Sequence, residues 1–149
     1  DTQKTSFEVM WEDIPLSLKN VEFAVKYMYY LLTDEQLDEM SSGNEAKKFA
    51  KLLAYWKPRD PTPNTPYNEA MAEYFRRIDY AFFNFQTIRE RDGSKTERGK
   101  IYVLYGPPDS IESSLANGTT TETWKYSKLN KTFIFSIVSN GIYKLMEIQ

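Results

Sequence analysis

Apolar residues recur at helical spacing through the first two-thirds of the chain. Between residues 21 and 32 they fall three and four positions apart, which predicts a first helix. Thr33 is followed three residues later by Gln36, the signature of a capping box, so a second helix is predicted to begin at Asp34. A third helix, from about 45 to 56, carries its apolar residues along one face.

A segment with four prolines, residues 57–69, follows the third helix and is predicted to be an extended, stiff connector. Pro58 ends the helix before it. Thr65 and Pro66 start the next helix, because proline at the first helical position lacks only an N–H that would be unpaired there. This next helix is predicted to run from about Pro66 to Arg91 and to form the centre of the fold.

The last third of the chain is rich in β-branched and aromatic residues, which predicts strands. The clearest of these is KIYVLYG at 100–106, and the two prolines that follow it require a sharp turn. Asn140 and Gly141 lie between two apolar runs and predict a tight hairpin. The predicted strands cover residues 100–106, 121–127, 131–138 and 142–148.

Helices that precede strands joined by short links indicate an α+β fold. We predict a helical N-terminal two-thirds, with about four helices and one long central helix, packed on a small C-terminal antiparallel sheet of three to four strands. A chain of 149 residues with 41% hydrophobic content suffices for one core, so residues 16–149 are predicted to form a single domain. Residues 7–11 alternate as a strand does, so residues 1–15 are interpreted as a tail or strand that precedes this domain.

Charge and hydropathy exclude several partners. The chain has 19 basic and 21 acidic residues scattered along it, without a basic surface for a nucleic-acid backbone, so no nucleic-acid partner is expected. Its longest strongly apolar stretch, residues 27–32, is far shorter than the roughly 20 residues needed to cross a bilayer. No transmembrane segment is therefore expected in this fragment. Asp1 is an unusual natural start and indicates an excised or processed chain.

Histidine and cysteine are both absent, which limits the possible chemistry. Ser-His-Asp and Cys-His triads, an imidazole proton shuttle and the usual nitrogen- or sulfur-ligated zinc sites are excluded. An enzyme would have to use carboxylates, lysine, tyrosine or an oxygen-ligated metal. We therefore lean towards a protein that is not an enzyme, and we assign no catalytic residue, no cofactor and no metal.

Four motifs stand out by their order and spacing. They are WKPRDPTPNTPYNE at 56–69, YFRRIDYAFFNF at 74–85, GSKTERGKIYVLYGPPDSIE at 93–112, and TWKY at 123–126 with the FIF strand. Together they resemble the GWxTD domain family of bacterial proteins, and the resemblance covers about residues 16–146. In the motif that names the family, Gly-Trp-x-Thr-Asp, this chain has GSKTE at 93–97, so serine replaces the tryptophan and the acid is one methylene longer.

The resemblance implies a location more than an activity. The family is found mainly in Bacteroidetes, is associated with the cell envelope and is functionally uncharacterised. It therefore implies an exported, periplasmic or envelope-associated protein whose natural chain is longer, with β-rich domains upstream. Residues 1–15 would then be a tail or strand continuing from an upstream domain.

Polar side chains within these motifs form a candidate binding site. Arginine offers a planar fork of donors that matches a carboxylate, so these groups could form an Arg-lined pocket for an acidic ligand or a carboxylate pair for hydrolysis. They could also form a structural network that fixes the proline segment and the 93–99 loop to the long helix, which is the interpretation we favour. The candidates are Arg59, Asp60, Asn68, Glu69, Arg76, Arg77, Thr96, Glu97, Arg98 and Asp109.

Two functional hypotheses are consistent with the sequence. The leading one is a non-catalytic interaction or structural module of an exported bacterial envelope protein, whose partner is a protein or glycan of the envelope. The alternative is a carboxylate-dependent glycan hydrolase or lyase, which needs two carboxyl groups about 5 to 10 Å apart in an open cleft.

Overall fold

The computed structural model describes residues 13–138 and 141–149, and its α+β fold agrees with the sequence prediction. Residues 7–11, for which a strand is predicted, and Asn140 of the predicted hairpin lie outside the described residues. The α-helices are α1 (Val21–Lys26), α2 (Asp34–Met40), α3 (Glu45–Trp56), α4 (Glu69–Asn84) and α5 (Glu97–Tyr105). The strands are β1 (Ser110–Ala116), β2 (Thr119–Tyr126), β3 (Lys131–Val138) and β4 (Ile142–Ile148).

The described residues form two compact units, divided between Asp79 and Tyr80 within α4. The first unit contains α1, α2, α3 and most of α4. The second contains the end of α4, then α5 and the sheet.

Aromatic rings form the core of the first unit. Trp56 at the end of α3 contacts Tyr74 and Phe75 of α4, with ring centroids 5.6 and 6.3 Å apart. The Tyr74 hydroxyl donates a hydrogen bond of 2.5 Å to the carbonyl of Tyr27. Burial raises the pKa of Tyr74 well above its ordinary value, so the phenol stays neutral and keeps the proton that it donates.

The predicted starts of the second and third helices are confirmed. The Thr33 side chain accepts the N–H of Gln36 at 3.2 Å, and the Gln36 side chain accepts the N–H of Thr33 at 2.9 Å. Asn44 caps α3 directly after Gly43, whose φ of +90° disfavours any other residue. The first predicted helix is α-helical only over α1 and continues as a 3-10 turn over 27–30.

The central helix α4 is shorter than predicted at both ends. It begins after Pro66 because the buried Asn68 caps its first turn, with Oδ1 accepting the N–H of Met71 at 3.0 Å. It ends at Asn84 rather than near Arg91, and residues 87–90 then form a turn closed by a backbone hydrogen bond of 2.9 Å between their two ends.

The predicted strand at 100–106 is wrong, because most of these residues belong to helix α5. Thr96 caps this helix by accepting the N–H of Gly99 at 3.1 Å. Glu97 places a negative charge in its first turn, where the helix dipole favours it. Gly106, with φ of +82°, ends it.

Contacts on several sides of α5 explain the error. Ile101 and Val103 are buried. The rings of Tyr102 and Tyr105 contact aromatic rings of the sheet, with the Tyr105 and Phe133 centroids 5.0 Å apart. A helix that packs on several sides lacks a one-face periodicity, so its β-branched and aromatic residues resemble a strand.

The strands form one antiparallel sheet in the order β1-β2-β3-β4. The sequence predicts β2, β3 and β4 but not β1, whose SIESSLA sequence has few strong strand formers. Asn117 and Gly118, with φ of +53° and +76°, connect β1 to β2 in a two-residue turn. The register sets Trp124 opposite Phe133, and both side chains are buried on the inner face.

Candidate functional site

The candidate side chains divide between the two units. Those in the first unit lie on the proline segment and on α4, and those in the second lie around α5 and before β1. The first group is Arg59, Asp60, Asn68, Glu69, Arg76 and Arg77, and the second is Thr96, Glu97, Arg98 and Asp109.

Asn68 joins the end of α3 to the start of α4. Its side-chain amide donates to the carbonyl of Trp56 at 2.9 Å, while its Oδ1 accepts the N–H of Met71. Both ends of this buried amide are therefore satisfied, and its loss would leave a buried carbonyl and a helix N–H without partners.

The carboxylates of Asp60 and Glu69 hold the proline segment through Thr62. Asp60 Oδ1 accepts the N–H of Thr62 at 2.9 Å, forming an Asx turn. The Thr62 hydroxyl lies 2.8 and 2.6 Å from the two carboxylate oxygens of Glu69. The proline segment is thus folded back onto the first turn of α4.

The arginines of the first unit contact aromatic residues or a neighbouring carboxylate. The Arg59 guanidinium lies 3.8 Å from the centroid of the Tyr55 ring and donates to the Tyr55 carbonyl at 2.6 Å. Arg76 donates to the hydroxyl of Tyr67. Arg77 forms an ion pair of 2.9 Å with Glu73, one helical turn before it.

An open cleft of about 380 Å³ lies beside α2 and α3 in the first unit, and we call it the α2–α3 cleft. Of the candidate residues, Arg59 lines it. Lys51 Nζ, also at the cleft, donates to the carbonyls of Glu39 and Ser42 and pairs with the Glu39 carboxylate at 3.1 Å. The remaining lining residues are Leu31, Leu32, Gln36, Met40 and Tyr55.

Gly93 in the second unit has no room for a side chain. A Cβ atom there would lie 2.0 Å from the carbonyl oxygen of Ala81 and 2.7 Å from the carbonyl carbon of Phe85. A Cβ atom on Gly99 would lie 1.9 Å from the carbonyl oxygen of Gly93. These two glycines let the 93–96 loop approach α4 and α5 backbone to backbone.

The rest of this loop is held by side chains that bond to its backbone. Ser94 is fully buried, and its hydroxyl and N–H donate to Asp92 Oδ1 at 2.6 and 3.0 Å. The Thr96 hydroxyl donates to the carbonyl of Gly93 at 2.7 Å and accepts the N–H of Gly99. One threonine therefore closes the loop and caps α5.

Glu97 and Arg98 attach α5 to strand β4. Glu97 Oε2 accepts the N–H of Leu145 at 2.5 Å. The Arg98 guanidinium lies 3.6 Å from the ring centroid of Tyr143. The start of α5 thus contacts the edge strand β4 at two positions, Tyr143 and Leu145.

Arg98 also reaches the inner face of the sheet. Its Nη1 lies 3.4 Å from Glu122 Oε1, and the side chains of this ion pair are only 15% and 13% exposed. The same Glu122 oxygen accepts the indole N–H of Trp124 at 2.7 Å. A poorly solvated carboxylate is therefore held by two donors, which offsets the cost of its desolvation.

Asp109 connects the turn before β1 to the end of β2. Its Oδ2 accepts the N–H of Ser127 at 2.5 Å. Hydrogen bonds from the backbone and side chain of Ser127, with the charge of Lys128, hold the pKa of Asp109 below its ordinary value. A general acid needs a raised pKa, so Asp109 is poorly suited to that role.

A comparison with protein-family models matches the GWxTD domain over residues 1–146. The chain belongs to the GWxTD domain family. The match includes the N-terminal residues that precede the motifs seen in the sequence. Comparisons with curated proteins and with solved structures give no significant match.

The two residues that match the GWxTD motif and the glutamate that replaces its aspartate each have a structural explanation. Gly93 permits close backbone packing, Thr96 caps α5, and Glu97 binds the backbone of β4. Ser94 stands where the family motif has tryptophan, and it lies buried beside Asp92.

Sequence reasoning on this GWxTD domain missed the partners of the candidate residues, such as Thr62 and Glu122. For Glu122 a signal existed. Glu122, Trp124 and Tyr126 are two residues apart on β2, so their side chains lie on the same face of the strand. A carboxylate among inward-facing aromatic residues requires a hydrogen-bond donor. Arg98 was already a candidate, but the sequence does not show that the two side chains meet.

Two further properties of the GWxTD domain concern the described residues alone. Over 13–138 and 141–149, no helix combines the length and the apolar composition needed to cross a membrane. In the same part of the chain, no three Asp or Glu side chains are grouped as metal ligands would be.

Proposed function

We propose that this GWxTD domain is a non-catalytic interaction or structural module of an exported bacterial envelope protein. Its partner is a protein or glycan of the envelope. The chain belongs to the GWxTD domain family. Because this family is associated with the cell envelope, membership supports the proposed envelope location.

The use of the candidate carboxylates supports a non-catalytic role. Asp60, Glu69, Glu97 and Asp109 each accept a hydrogen bond from a neighbouring N–H or hydroxyl within their own unit. These bonds fix loops and strand ends. A catalytic pair would instead direct two carboxyl groups at a shared substrate position.

The α2–α3 cleft supports an interaction role and is the contact surface that we propose. It combines an apolar part, formed by Leu31, Leu32 and Met40, with polar side chains. Arg59 uses one nitrogen on the Tyr55 carbonyl, whereas a guanidinium offers five N–H donors. This geometry favours a partner that brings hydrogen-bond acceptors and a small apolar surface.

A photo-cross-linking experiment in intact cells tests this proposal. A photoreactive residue at Gln36, in the full natural protein, should capture a discrete envelope component. The same residue at Asp38 is the matched control, because Asp38 is exposed on the same helix but does not line the cleft. Equal capture at both positions, or none at Gln36, would refute the proposed surface.

Arg59→Ala should weaken capture at Gln36, because it removes the guanidinium donors. Lys57→Ala is the control, since Lys57 is an exposed cation of the same turn that does not line the cleft. Comparable capture by both variants would argue against a role for Arg59.

The carboxylate-dependent alternative is tested by turnover. Among the described residues that line the cleft, Glu39 is the only carboxylate, and it is paired with Lys51. The purified domain is therefore expected to leave envelope glycans intact. Glycan cleavage that Glu69→Gln or Glu97→Gln abolishes, with the circular dichroism spectrum retained, would overturn the non-catalytic assignment.

A further inference from the structure

Strand β1 forms an edge of the sheet in the second unit. Within the part of the chain that the structure describes, it pairs with β2 alone, and every residue from Ile111 to Ala116 is exposed. Ile111 and Leu115, which project from the same face of the strand, are 53% and 73% exposed. An open edge presents unpaired N–H and C=O groups that can bind another strand.

β1 lacks the usual features that prevent such pairing. Natural edge strands are protected by lysine, proline or bulges, and SIESSLA contains neither lysine nor proline. Its register with β2 runs without a shift from Ser110 to Ala116. The single charge is Glu112, which forms an exposed ion pair with Lys125 of β2.

The opposite edge of the sheet, at β4, is protected. The carboxylate of Glu97 occupies the N–H of Leu145, and Arg98 covers the ring of Tyr143. A shift in register between β3 and β4 at Ile134 and Phe135 adds an irregularity. An added strand would therefore pair with β1 rather than with β4.

The sequence of β1 is self-complementary about Ser113. In an antiparallel pair of two copies centred there, Ile111 of one copy lies opposite Leu115 of the other, and Glu112 lies opposite Ser114. The apolar side chains then meet on one face, while the glutamates avoid each other. Such a pair has two-fold symmetry, as most homodimers do.

We propose that β1 is an interface for a second copy of this chain. Two copies pair antiparallel through β1, with Ser113 on the two-fold axis, and form one continuous eight-stranded sheet. A single strand pair buries little area, so the association is weak and depends on concentration. This interface is separate from the α2–α3 cleft, and its failure would leave the proposed function untouched.

Single cysteines test the register, because the chain has none of its own. Under mild oxidation, Ser113→Cys should give a disulfide-linked dimer, since directly opposite Cβ atoms lie about 5 Å apart. Ser110→Cys is the matched control, because its two copies would be about 20 Å apart along the strands. Dimers from both variants, or from neither, would overturn the proposal.

Charged pairs provide a second test that does not depend on oxidation. Ile111→Lys with Leu115→Lys sets lysines opposite each other, whereas Ile111→Glu with Leu115→Lys sets opposite charges together at the same positions. Sedimentation should show at least about fivefold tighter association for the Glu/Lys variant than for the Lys/Lys variant. Equal association, or a wild-type chain that stays monomeric at its highest soluble concentration, would rule out this interface. An unrelated strand captured in place of a second copy would also contradict it.

Discussion

Gly93 is a position where the absence of a side chain, rather than any side-chain contact, determines the local structure. The carbonyl oxygen of Ala81 already occupies the place of a Cβ atom at this residue. Because that oxygen belongs to the backbone of α4, it cannot be displaced without moving the helix. The glycine therefore sets how closely the 93–96 loop and α4 approach.

We predict that Gly93→Ala destabilises the fold by roughly 1–3 kcal/mol, the usual cost of overpacking. Urea unfolding of the wild type and the variant measures the difference. Gly118→Ala is the control, since a Cβ there meets nothing within 4 Å and only its φ of +76° opposes the change. The control should cost about 1–2 kcal/mol, from the left-handed backbone conformation alone. If Gly93→Ala were as stable as the wild type, the packing argument would fail.

Asp109 makes stability depend on pH at the acid end. Its pKa in the folded chain lies below its ordinary value, so the unfolded chain binds the proton more readily. This contribution is present above the ordinary pKa and is lost as pH falls through the folded pKa. Asp109→Asn should therefore narrow the difference in melting temperature between pH 7 and pH 2.5. An unchanged difference would show that Asp109 contributes nothing to acid sensitivity.

At the level of elements, the sequence predicts the start of a helix correctly where all the capping residues are close together in the chain. Thr33 and Gln36 form the predicted box because the whole motif lies within four consecutive positions. The start of α4 was misplaced, since Asn68 is fixed as the cap by the carbonyl of Trp56, which local sequence does not reveal. The same limit applied to the candidate site, whose residues were identified but whose partners were not.

Errors in type arose where packing overrides propensity. α5 contains Ile-Tyr-Val-Leu-Tyr, which favours a strand, yet it is helical because Thr96 caps it and because it packs on more than one side. β1 lacks that preference, yet it is a strand because the Asn117-Gly118 turn aligns it with β2. In both cases the deciding contacts lie outside the segment.

Thr96 should matter more than Thr33, although both are helix caps. Thr33→Ala removes one exposed cap and should cost about 1 kcal/mol. Thr96→Ala also removes the hydrogen bond to the carbonyl of Gly93, so about 2 kcal/mol is expected. Thermal and urea unfolding compare the two, and Thr96→Ser, which keeps the hydroxyl, should recover most of the loss. Equal costs would show that loop closure adds nothing to capping.

For the whole molecule, the absence of histidine has a measurable consequence for how stability depends on pH. The pKa values of Tyr74 and Asp109 both move away from neutrality, that of Tyr74 upward and that of Asp109 downward. Apart from the α-amino group, no side chain type present has an ordinary pKa between 6 and 8.

The free energy of unfolding should therefore be constant between pH 6 and pH 8. Urea titrations at pH 6, 7 and 8, at one ionic strength, measure it. A clear slope would reveal a titrating group whose pKa is shifted into this range by the fold.

The tight fit at Gly93 also bears on what a shared sequence motif can tell about function. The residues of this motif have backbone and packing roles: Gly93 leaves no room for a methyl group, the Thr96 hydroxyl closes a loop, and the Glu97 carboxylate binds a strand. Residues with such roles preserve the packing of loop, helix and strand and do not specify a ligand. Two proteins that share this motif would therefore share that local structure, while their binding partners could differ completely.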